Sequence, residues 1–215
     1  MTTIKNIESF VYRYPLSKPV ITSFGVMDNR PMLILKITDN NGMYGWGEVW
    51  CNFPLTGAEH RAKLIDNVFK PLLANFNIIT PEKTYEYLVS KTKILSIQSG
   101  EPGPIAQCIA GIDIAIHDLI GKVENISLWK KFGGNKNIIP CYASGINPTK
   151  PEVTVKDAIK KGYSSFKLKI GFGIKKDLGN IKEIKNILPE KSSLMVDANQ
   201  AWNLHEAIEA CRLLE

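Results

Sequence analysis

Two stretches decide how this chain folds: Phe166-Lys167-Leu168-Lys169-Ile170-Gly171 and Met195-Val196-Asp197-Ala198-Asn199-Gln200-Ala201-Trp202. The first alternates apolar and basic residues. Side chains on a strand alternate faces with period two, so Phe166, Leu168 and Ile170 pack one way. Lys167 and Lys169 then point together the other way. The second stretch starts apolar and, by the same rule, sets Asp197 and Asn199 on one face. Lys167 and Asp197 lie about 30 residues apart, the length of one strand–helix–strand crossover. Two lysines and a carboxylate are thereby expected at the ends of neighbouring parallel strands, a grouping suited to removing a proton next to a carboxylate.

The segment after Gly134 reads as strand and helix in alternation. Ile138–Ser144 is a short strand candidate, residues 154–162 a helix, and the lysine strand follows. Residues 177–188 form a helix, Leu194–Asn199 a third strand, and residues 204–214 a third helix. Such crossovers make parallel strands covered on both faces. Before Gly134 the pattern differs. Ile4–Tyr14 and Met32–Thr38 read as strands, and Asn40-Asn41-Gly42 is a tight turn into a third strand, Met43–Trp50. Residues 16–30 and the segment Trp50-Cys51-Asn52-Phe53-Pro54 read as loops. Helices are expected over residues 58–73, from Pro81 behind the N-cap Thr80, and over Ile105–Val123. Strands followed by helices make an α+β domain. The expected division is residues 1–134 and 135–215.

Hydrophobic residues make up 44% and charged residues 22%, the balance of a soluble globular protein, and no apolar run reaches the roughly 18 residues that cross a membrane. Neither a membrane partner nor a secretory leader is expected. The net charge is +6, yet the lysines are dispersed beside acids without aromatic interleaving, which argues against nucleic acid. Cys51, Cys108, Cys141 and Cys211 show neither metal-type nor disulfide-type spacing, and Cys108 and Cys141 sit in apolar surroundings as expected buried thiols. A reducing cytoplasm fits. His117, Trp46 and Trp129 are expected as packing residues, and Trp202 either lines the strand ends or caps the next helix.

Two lysines on one face disfavour each other's charge, so one can become a neutral general base while the other holds an anion. The alternation alone is more often that of a solvated edge strand with an exposed lysine face. Asp197 at a strand end argues further, because a half-buried carboxylate needs a cationic partner.

With those motifs in hand, the chain resembles the enolase superfamily, in particular the mandelate racemase/muconate lactonizing enzyme group. Lys167-Leu168-Lys169 matches its Lys-x-Lys strand, and Met195–Asn199 its metal-ligand strand. Gly45-Trp46-Gly47-Glu48 and Ala110–Ala115, with Asp118-Leu119 and Gly121-Lys122, match its capping domain. The resemblance implies an α+β capping domain followed by the first part of a (β/α) barrel. It implies that Lys169 takes the α-proton of a carboxylate, that Lys167 binds the carboxylate, and that Asp197 is the first acidic ligand of Mg²⁺. Asn199, Thr22, Phe24, Asn52, Phe53 and Ser144 would contact the substrate, a small carboxylate such as an acid sugar. The complete form would be a homo-oligomer.

Such a barrel has eight strands over roughly 250 residues, whereas the residues from Ile138 onward suffice for about three strand–helix units. The expectation is therefore an incomplete barrel that is inactive alone. The rival reading is a non-catalytic remnant or fragment that acts by association with another chain.

Overall fold

The structure, a computed structural model, describes residues 2–22 and 25–214, with the side chain of Thr22 not described. The chain divides into two compact units, residues 1–16 with 29–135 and residues 17–28 with 136–215.

A sheet of four strands runs in the order β3-β2-β1-β4. These are β1 (Thr2–Thr22), β2 (Gly25–Asp39), β3 (Tyr44–Val49) and the two-residue β4 (Asn77–Ile78). The first unit holds β1 as far as Leu16, β2 from Asn29, and all of β3 and β4. Strands β2 and β3 pair antiparallel with Leu33 opposite Val49 and Lys36 opposite Trp46. Asp39 closes the turn between them: its buried carboxylate accepts from the backbone N–H groups of Asn41 and Met43, both at 2.9 Å. The loop expected over residues 16–30 is corrected. β1 runs to Thr22 and β2 begins at Gly25, because neighbouring strands satisfy each other's backbone groups and Val20-Ile21-Thr22 is a β-branched run.

Helices cover one face of this sheet. α1 (Gly57–Leu64) passes through a π-helical segment (Ile65–Phe69) into α2 (Lys70–Leu73), rather than running as one regular helix. Pro71 has no N–H to give the ladder, and the Lys70 N–H bonds Ile65 O, five residues back. α3 (Pro81–Ser99) starts at the expected cap, with Thr80 Oγ1 accepting from Lys83 N. α4 (Pro102–Val123) begins three residues earlier than expected, since prolines in a first turn withhold only N–H groups that have no helical partner.

Helix α4 is the spine of the unit. Ile105, Cys108, Ile109, Ile112, Ala115, Ile116 and Leu119 are buried and join Leu33, Leu35, Ile37 and Val49 in one core. Long and apolar enough by composition for a membrane span, α4 nevertheless spends that face on this core. The close approach is made by glycine: a Cβ on Gly47 would lie 2.0 Å from Gly111 O, and one on Gly45 2.0 Å from Ala115 O. With Gly45, Gly47 and Val49 turned inward, Trp46 faces outward. It is 42% exposed and lies beside Tyr44 and Phe10, which corrects its expected core position. Trp129 in α5 (Leu128–Lys131) is likewise exposed. His117 packs edge-on against Phe132, as a packing residue would.

Burial pushes the Cys108 thiol up to about 12 and also raises that of Cys51, whereas Cys141 is exposed, contrary to expectation, as is Cys211. Thiol titration at pH 8 is expected to show two fast groups, Cys141 and Cys211, and two that react only on unfolding. Fast modification of Cys108 in the folded chain would contradict this packing.

The second unit carries a parallel sheet in the order β5-β6-β7: β5 (Ala143–Ile146), β6 (Ser165–Lys169) and β7 (Ser193–Asp197). α6 (Pro151–Lys160) and α7 (Ile174–Lys185) connect them, and α8 (Leu204–Leu214) follows. Ile146, Val155, Phe166, Leu168, Ile170, Ile181 and Ile184 form its core. The first strand is shorter and later than Ile138–Ser144. Pro140 offers no N–H to a ladder, and pairing with β6 begins only at Ala143 opposite Phe166. Parallel strands joined by helices are thus observed for three strand–helix units.

Candidate functional site

The burial of β6 alternates as its sequence does. Phe166 and Leu168 are fully buried, and Lys167 and Lys169 share the opposite, half-buried face. The parallel register sets Lys169 level with Asp197 and Lys167 level with Met195. Both ammonium groups consequently reach one carboxylate oxygen. Lys169 Nζ lies 2.7 Å from Asp197 Oδ2, and Lys167 Nζ lies 3.5 Å from the same atom.

Asn199 joins them by a different route from the one expected. β7 ends at Asp197, and Asn199 (φ +46°) and Gln200 (φ +63°) are left-handed, a conformation that asparagine tolerates better than most residues. The turn is closed by the Asn199 N–H donating to Asp197 Oδ1 at 3.0 Å. It carries the Asn199 side chain back over β6, where Lys169 Nζ donates to Asn199 Oδ1 at 2.6 Å. Local turn chemistry, and not strand alternation, brings the two side chains together.

Tyr142 completes the cluster and was missed by the sequence reading. It sits just before β5, and its hydroxyl accepts from Lys167 Nζ at 3.0 Å. The ammonium also lies 4.9 Å from the ring centroid. The only sequence cue was its place directly before the strand that pairs with the lysine strand.

At Lys167 the net effect of these contacts favours the charged form. Its pKa is raised, first by the Tyr142 hydroxyl and then by the attraction of Asp197, with burial opposing. The Asp197 carboxyl is held below its ordinary value, chiefly by the hydrogen bond from Lys169, again against burial. A carboxylate with a lowered folded pKa adds stability above its unfolded value of about 3.9, and that stability is lost as pH falls through the lower folded value. Wild type is therefore expected to melt above Asp197→Asn at neutral pH, with the difference shrinking as the pH falls below the unfolded value of about 3.9. A difference that persists unchanged into that acid range would contradict the ion pair.

Ser144 is exposed on β5, the strand beside β6. Asn52 and Phe53 are half-buried in the loop after β3, within the first unit. Thr22 ends β1, and Phe24 lies outside the described residues.

Mg²⁺ requires near-octahedral oxygen ligation. Among the described residues no group of three or more His, Cys, Asp or Glu side chains could hold a metal ion. Asp197 is the single carboxylate of the cluster, with Oδ2 taken by the lysines and Oδ1 by Asn199 N–H. These residues by themselves do not fit a Mg²⁺ site.

The mandelate racemase/muconate lactonizing enzyme N-terminal domain model matches residues 6–133, and the enolase C-terminal domain-like model matches residues 152–215. The chain belongs to the mandelate racemase/muconate lactonizing enzyme family. The structure of such an enzyme from Bordetella bronchiseptica RB50 is 41% identical, with a TM-score of 0.89 over 99% of this chain and 56% of that one. A racemase from Streptomyces coelicolor with bound magnesium is 28% identical, with a TM-score of 0.86 over 98% of this chain and 59% of that one. A 3,6-anhydro-alpha-L-galactonate cycloisomerase of the same organism is 28% identical over 98% of this chain and 58% of its own length. The chain thus spans somewhat over half the length of these members. Other family relatives are named as racemases, epimerases and dehydratases.

Proposed function

We propose that the lysine face of β6 takes the carboxylate of a small acid and that Lys169 removes the proton on the adjacent carbon. One observation carries this reading: Lys167 and Lys169 already converge on a single carboxylate oxygen, that of Asp197. A substrate carboxylate can be received in the same way. Lys167, kept charged by Tyr142, supplies the fixed positive charge. That charge stabilises the enolate that forms when the α-proton leaves. Lys169 is the closer amine, and Asn199 holds it from the far side. To act as base it must give up a proton and its bond to Asp197. Racemisation, epimerisation, dehydration and cycloisomerisation all begin with this step.

In the same reading Asn199 and Ser144 contact the substrate, and Thr22 and Phe24 select it. An acid sugar or similar hydroxycarboxylate is the favoured class, since these positions mix hydroxyl, amide and aromatic groups. Binding separates the two lysine roles. Lys167→Met is expected to abolish carboxylate binding and Lys169→Met to weaken it by about threefold to tenfold, the difference between losing an anchor and losing one hydrogen bond. Equal loss in both variants would remove the division of labour.

The second reading, a non-catalytic chain that works with a partner, is favoured by the single carboxylate at the site. For residues 1–215 on their own we expect no exchange of substrate α-protons in D₂O, with or without Mg²⁺, and no saturable Mg²⁺ binding at about 1 mM or tighter. Exchange that Lys169→Met abolishes would show a site catalytically complete as it stands.

A further inference from the structure

Asp177 is 2% exposed, and neither the metal chemistry nor the carboxylate binding uses it. It stands in the first turn of α7, whose N-cap is Gly173 and has no side chain to close the helix start. Its carboxylate points back past that start into the loop after β6. Oδ2 accepts from Gly171 N at 2.9 Å, and the two oxygens accept from Phe172 N at 3.3 and 3.4 Å. A carboxylate serving only the helix would accept N–H groups of the helix's own first turn. These two belong to the residues that follow Lys169 and Ile170.

The same short loop is fixed from two further sides. Ile170 is buried, and its N–H donates to Asp197 O at 3.0 Å, extending the β6–β7 register by one bond beyond Lys169. Gly171 is left-handed (φ +94°), and a Cβ there would lie 2.7 Å from Ala201 Cβ and 3.1 Å from Ala198 O. The loop bearing Asn199 is therefore in van der Waals contact with the loop held by Asp177. Residues 170–172 form a short rigid link from Asp177 to Lys169 on one side and to Asp197 and Asn199 on the other.

We infer that Asp177 is a positioning residue: by binding the Gly171 and Phe172 N–H groups it sets the place of Lys169 Nζ between Asp197 and Asn199. This rests on the reading of Lys169 as the reactive amine. Its test needs no turnover.

The probe is trace acetylation by acetic anhydride of the folded 215-residue chain, with the rate at Lys169 expressed relative to exposed Lys182 on α7. Asp177→Asn keeps the shape but cannot accept from both N–H groups equally. It is expected to raise the relative rate at Lys169 by about threefold to tenfold, the factor for loosening one hydrogen bond. Ile184→Val trims the same core without touching the loop, and should lower the melting temperature while leaving that ratio within about twofold. A ratio unchanged in Asp177→Asn, or raised equally by Ile184→Val, would overturn the inference. Should Asp177→Asn fail to fold, amide exchange in the wild-type chain decides: Gly171 and Phe172 must be strongly protected, and exchange at unprotected rates would overturn it. Failure of carboxylate binding would instead strike the functional reading and leave this ratio unmoved.

Discussion

Gly47→Ala is expected to prevent the first unit from folding. The added Cβ would stand 2.0 Å from Gly111 O, 2.9 Å from Ala115 N and 3.1 Å from Ala115 Cβ. Two of those atoms are helix backbone, so no side chain can rotate away. Relief requires β3 and α4 to separate, but β3 is locked to β2 over the register Leu33–Val49 to Thr38–Tyr44. On its other side α4 is buried against the unit's core. Overpacking a tight core costs about 1–3 kcal/mol where neighbours can adjust, and more where they cannot. A domain is stable by only about 5–15 kcal/mol, so a shift of the whole helix removes most of that margin. The measurement is thermal unfolding by circular dichroism beside Gly42→Ala, whose Cβ would meet nothing within 4 Å and whose cost is confined to its positive φ. A melting temperature for Gly47→Ala within a few degrees of wild type would mean that β3 and α4 do not approach as described.

Asp197→Asn is expected to tighten binding of small carboxylates by about tenfold in buffer containing EDTA, the order of one charge-assisted hydrogen bond freed for the ligand. In the wild-type chain the Asp197 carboxylate occupies both lysines, at 2.7 and 3.5 Å, and a ligand carboxylate must displace it. Asparagine keeps the side-chain shape and removes the competing charge. The variant should bind chloride and sulfate more tightly as well, though less selectively. Weaker carboxylate binding would show that Asp197 supports the ligand rather than competing with it.

Legibility from sequence followed the range of the forces involved. The alternation of β6 was readable because one strand's burial is a local property, and the crossover length fixed β7 beside it. Asn199 was placed in the right company for the wrong reason, since a left-handed turn is hard to tell from continued strand in Ala-Asn-Gln. Tyr142 and Asp177 were hidden because their partners are a neighbouring strand's lysine and backbone N–H groups, which no side-chain motif advertises. In the first unit, alternation alone would have put Trp46 outside. The small inward glycines that let α4 approach so closely are the signal that decides it.

If Lys167 and Lys169 together receive a carboxylate, titrating the isotope-labelled chain with gluconate will show it in the lysine side-chain NMR resonances. Saturable shifts are expected at Lys167 and Lys169 with one common affinity, with no change at Lys182 and loss of both shifts in Lys167→Met. Shifts spread evenly over the surface lysines, or none at the pair while Asp197→Asn also stays silent, would contradict that joint role.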